Sequence, residues 1–182
     1  YCYYEKKEYD KAMAEYEKIL ADKPEDWGAH SRKGLVYSAL KEHKKAIKEY
    51  KVAIEFGGNS CVRGNLAELY RLGNGVTFPK HKKAFQLYEA AYIEQDETRT
   101  CGCITAPLID CYYRGIGTVI DIPKAKKLLL HGIEIENDSS YFAYLLGYFH
   151  ATGESMERDI PKAIELLKKA QKKIAEERLR WY

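Results

Sequence analysis

The pentapeptide Asp-Ile-Pro-Lys-Ala stands at residues 121–125 and again at 159–163, 38 positions later. Asp at a helix start accepts backbone N–H bonds, and Pro suits the first turn because its missing N–H has no helical partner there. The phrase therefore marks a helix start, and its return means that a whole structural unit returns with it. The small residue that ends it carries the register through the chain: Ala12, Ala46, Ala84, Ala125 and Ala163 lie 34, 38, 41 and 38 residues apart. Units of this size cannot bury an apolar face alone, so a chain with this period has to stack them.

The first period is the most regular. Tyr3, Ala12 and Tyr16 recur as Tyr37, Ala46 and Tyr50 at an offset of 34. Ala46, Ile47, Tyr50, Ala53 and Ile54 form the stripe of an amphipathic helix. Gly34 and Ala46 are small where two helices must touch, and Tyr37 and Tyr50 fill the space beside them. With Pro24 closing the preceding unit, residues 1–58 resemble the tetratricopeptide repeat. Beyond residue 60 the extra residues fall between the two helices, in 66–84, 108–125 and 146–163. There Gly73, Gly115 and Gly153 align as helix-ending glycines, Asp121 and Asp159 open the next helix, and Lys-Ala follows. Residues 59–182 are similar to the Sel-one-like repeat, the extended relative of the tetratricopeptide unit. Departures from that pattern are Lys80 for the capping Asp, Ala67 and Ile109 for the small Gly, and His150 for Tyr.

The resemblance implies a single all-α repeat domain. Its architecture would be an α-α superhelix, a right-handed solenoid of about five antiparallel helix pairs with the first truncated. Helices are expected at 1–6, 8–22, 27–40, 43–56, 60–72, 80–94, 102–114, 122–136, 139–151 and 160–180, the last a long basic helix. The opening at Tyr1, in mid-repeat and without Met, leads to the expectation that the chain is part of a longer protein.

In such stacks the first helix of each pair lines a concave groove. Family positions carried over by resemblance assign Arg32 and Leu35 to it in the second unit, and Asn65, Glu68 and Arg71 in the third. The fourth supplies Asp110, Tyr113 and Arg114, and the fifth Tyr141, Tyr144 and Tyr148. The last three, spaced i, i+3, i+7, share one helical face. They either offer aromatic area to a partner or pack on the neighbouring helix. The carboxylate clamp of some tetratricopeptide domains has only Arg32 and Asn65 at matching positions, so that ligand is not implied.

Other chemistry finds little support. The five His are scattered, and no HExxH, nucleophile elbow or Lys-Ser/Thr phosphate loop is present. Gly73-Asn-Gly75 and Gly115-Ile-Gly117 each follow a predicted helix rather than a strand, which reads as a helix cap, not a nucleotide loop. Cys2, Cys61, Cys101, Cys103 and Cys111 are odd in number and irregular, and Cys101 and Cys103 on one helix would point apart. Reduced thiols, no metal and a cytoplasmic setting are expected. Thirty basic against 27 acidic residues, with Glu176 and Glu177 interrupting the basic tail, gives no global pull toward nucleic acid or membrane. The sequence thus predicts a non-catalytic, cofactor-free scaffold that binds a protein or peptide partner. The alternative is a regulatory repeat domain of a larger enzyme, its groove filled in cis.

Overall fold

The computed structural model describes residues 8–95, 102–135, 140–153 and 157–179. Regular structure among them is entirely helical: α1 (Tyr9–Asp22), α2 (Trp27–Ala39), α3 (His43–Glu55), α4 (Ser60–Leu72), α5 (His81–Ile93), α6 (Gly102–Arg114), α7 (Ile122–Ile135), α8 (Ser140–Thr152) and α9 (Ile160–Leu179). These are the expected elements, with ends shifted by a residue. The helix expected at 1–6, and the ends expected at 136, 139 and 180, lie outside the described residues. Two compact units divide the chain, one ending at Glu94 and the other beginning at Gln95. In the first, α2 pairs with α3 and α4 with α5, and α1 packs on α2. In the second, α6 pairs with α7 and α8 with α9.

The helix ends follow from their capping residues. Asp26 Oδ1 accepts the Ala29 N–H at 2.6 Å, and Asn59 Oδ1 the Val62 N–H at 3.3 Å, so both first helices of the first unit are capped. In the second unit Asp121 and Asp159 do the same for the N–H groups of Lys124 and Lys162, each at 2.9 Å. Each of these aspartates also donates its own N–H to a carbonyl near the end of the preceding helix, Tyr112 O at 2.9 Å and His150 O at 3.0 Å. One residue thus closes the long loop and opens the next helix, which is why the Asp-Ile-Pro-Lys-Ala phrase repeats. Gly73, Gly115 and Gly153 turn the chain out of the preceding helix with φ of 76°, 69° and 76°, a region costly for a residue with a Cβ. Lys80 repeats the loop closure, its N–H reaching Tyr70 O at 2.8 Å, but caps nothing with its side chain.

The anchor alanines are buried, all five being 2% exposed or less. Four residues after the first three, Tyr16, Tyr50 and Tyr88 are buried in turn. Gly34 is required by one of them: a Cβ there would stand 2.5 Å from the Tyr50 ring. The lysine before three of the anchors has a recurring place too. Lys45 lies over Tyr37 at 5.3 Å, Lys83 over Tyr70 at 5.2 Å and Lys124 over Tyr112 at 4.4 Å, tying the second helix to the first.

Candidate partner-binding groove

In the first unit, residues of the first helices α2 and α4 border a common recess of about 530 Å³. Trp27 and Leu35 supply its apolar wall, and Arg32 and Asn65 its polar one. Arg32 is exposed, while Leu35 and Asn65 are half-buried. The side chains of Arg32 and Asn65 have no partner among the described residues. The other arginines of this unit are committed. Arg63 donates to Gly58 O at 2.6 Å and pairs with Glu94 at 2.9 Å, and Arg71 is held by Glu68. The recess thus joins an uncommitted guanidinium, an uncommitted carboxamide and two apolar side chains, a set able to hold a backbone and one anionic or polar side chain of a guest segment.

Glu68 and Arg71, expected on the same wall, are tied to the second helix instead. Arg71 donates to both Glu68 oxygens at 2.7 and 2.6 Å, and the Tyr88 hydroxyl of α5 donates to Glu68 Oε2 at 2.5 Å. Burial pushes the Glu68 carboxyl up, but the hydrogen bonds from Arg71 and Tyr88 and the Arg71 charge prevail and hold it below the usual carboxylate range. Tyr88 is raised above the ordinary phenol value, first by burial and then by its bond to the carboxylate. Arg71 is raised by the same pairing.

In the second unit, Tyr113 meets Tyr148 edge-on at 6.0 Å and Phe149 at 5.4 Å, an aromatic seam between α6 and α8. Tyr141 donates its hydroxyl to Ala106 O at 3.4 Å, and Asp110 pairs with Arg114 at 3.5 Å. Of the three tyrosines on one face of α8, Tyr144 is 51% exposed while Tyr141 and Tyr148 are half-buried. Packing therefore claims two of them and leaves Tyr144 open.

The model for the Sel1 repeat matches residues 65–96, 106–130 and 140–170. These three stretches are similar to Sel1 repeats. They coincide with the long-loop repeats. The Sel1 repeat protein from Oxalobacter formigenes superposes with a TM-score of 0.67 at 22% identity over 85% of this chain and 61% of that one. The protective antigen c5321 of uropathogenic Escherichia coli, with an SLR fold, gives 0.67 at 24% over 85% and 32%. YrrB, described as a TPR protein with an unusual peptide-binding site, gives 0.62 at 20% over 93% and 79%. At these identities the likeness establishes the fold class, an all-α helical-repeat solenoid. The chain spans less than two thirds of the first two proteins. No curated protein matches it in sequence.

Sequence reasoning overlooked Trp27 and Cys61, which also line the recess. Both sit in the first turn of a capped helix, directly after or near Asp26 and Asn59, and those two caps could have located the recess. The expectation of reduced thiols is corrected at Cys103, which is disulfide-bonded, whereas Cys61 and Cys111 keep their thiols. Among the described residues no cluster of three His, Cys, Asp or Glu could hold a metal, and no helix is long and apolar enough to cross a membrane.

Proposed function

We propose that the chain is a non-catalytic interaction module that holds an extended or helical segment of a partner protein against the first helices of its repeats. The observation that carries this reading is the recess between α2 and α4, where Arg32 and Asn65 stay uncommitted beside Trp27 and Leu35. In the second unit Tyr144 on α8 offers exposed aromatic area, flanked by Tyr141, Tyr148, Tyr113 and the Asp110–Arg114 pair. The likeness to YrrB, whose description names a peptide-binding site, supports the reading at the level of the fold. Residues 1–58 are proposed to be tetratricopeptide-type units, on the 34-residue offset and the fit of Gly34 to Tyr50.

The test is a peptide-display selection on the purified chain, repeated on variants. Arg32→Glu and Asn65→Ala should each weaken an enriched peptide by at least about thirtyfold, the effect of a true anchor at about 2 kcal/mol. Enrichment that is indifferent to both variants would remove the recess from the account.

A further inference from the structure

The near-zero net charge conceals a segregation of lysines at the edge where first helices turn into second helices. In the first unit Lys41, Lys44 and Lys45 surround the start of α3, and Lys80, Lys82 and Lys83 the start of α5, all of them exposed. The loop 73–80 brings the two groups together. A Cβ on Gly75 would approach the His43 backbone carbon to 2.7 Å, and a shallow recess of about 500 Å³ lies between Gly75 and Lys41–Lys45. The carboxylate lining that recess, Glu42, is paired with Lys45. Lys80 and Lys83 are steered to this edge by the Tyr70 ring, 5.9 and 5.2 Å away. On the same loop Phe78 is 75% exposed.

The second unit repeats the arrangement on loop 115–121. Val119 is 78% exposed and Ile120 64%, and the exposed Lys124 and Lys127 follow. Among the described residues four large apolar side chains exceed 60% exposure, and Phe78, Val119 and Ile120 are three of them. Two loops of different sequence thus place bare apolar tips just before lysines.

A protruding apolar tip ringed by ammonium groups is the wrong shape for a peptide, which needs a groove. It also lacks the row of aromatic faces that single-stranded nucleic acid stacks upon. It suits a surface that is flat, anionic outside and apolar beneath. We propose that the loop tip of each unit is by itself a contact for an anionic lipid bilayer, Phe78 in the first unit and the Val119–Ile120 pair in the second entering the headgroup region while the neighbouring lysines engage acidic headgroups. The contact is separate from the groove and does not depend on it.

Co-sedimentation with phosphatidylcholine vesicles, with and without phosphatidylserine, tests this. The chain should sediment only with the phosphatidylserine vesicles, and progressively less as salt rises. Phe78→Ser combined with Val119→Ser and Ile120→Ser, and separately Lys82→Glu with Lys83→Glu, should each lower binding by at least about tenfold. All five positions are exposed, so unchanged helical circular dichroism is expected, and Arg32→Glu should bind as wild type. The proposal is overturned if no binding to phosphatidylserine vesicles occurs at low salt, or if both sets of variants bind normally. Retention of RNA or polyglutamate by these lysines, without vesicle binding, would overturn it equally.

Discussion

Tyr88 sets its phenol on a carboxylate that already holds an arginine, and this triad gives the first unit a pH response at each extreme. Glu68 is held below the usual carboxylate range, so its contribution is present above the unfolded value and is lost as pH falls below that range. Tyr88 is raised, so its contribution is complete below the ordinary tyrosine value and is lost as pH climbs past it. Tyr88→Phe should cost about 1 kcal/mol at neutral pH, a typical net hydrogen bond, and flatten the alkaline loss of stability. Urea denaturation of both proteins across pH reads this, and identical alkaline profiles would mean the phenol contributes nothing there. The triad was not legible in the sequence. Family numbering places Glu68 and Arg71 by their position on α4, whereas their partner arrives from α5, four residues after Ala84. A long polar side chain at the margin between two helices goes to whichever buried polar group the second helix presents, and position numbering carries no information about that. Arg32 and Asn65 line the recess because no second-helix side chain among the described residues competes for them.

At the scale of the element, the long loop and its cap behave as one part. Asp121→Ala and Asp159→Ala each remove an N-cap bond and should cost about 1 kcal/mol. Lys80→Asp should do the reverse and stabilise by a similar amount, because α5 begins with no side-chain cap while its loop is closed as in the other repeats. Thermal melts of the three variants give the signs directly, and a destabilised Lys80→Asp protein would show that the cap positions are not equivalent. The elements were the most legible part of the sequence, since the anchor alanines, helix-ending glycines and capping aspartates recur at fixed places. The ends of α6 were legible too, the helix running over Gly102–Arg114 as its spacing predicts.

For the whole molecule, the repeats form two compact units, each with its own buried anchors. Repeat proteins sum local stabilities and nearest-neighbour contacts, so damage in one place stays near it. Ala125→Leu should overpack the contact between α6 and α7 and destabilise by roughly 1–3 kcal/mol. Native-state hydrogen exchange should register this loss in α6–α9 more than in α1–α5. The all-α repeat fold was legible from the period of the anchors, but the division at residue 94 was not, because the register of anchors runs through it unbroken. A partner segment is proposed to lie against the first helices. Hydrogen exchange of the chain with and without a peptide enriched by selection tests it most directly. Protection concentrated on α2 and α4, with Trp27, Arg32, Leu35 and Asn65 inside the protected segments, is the predicted result. Protection confined to α3 and α5, or no protection on any first helix, would contradict it.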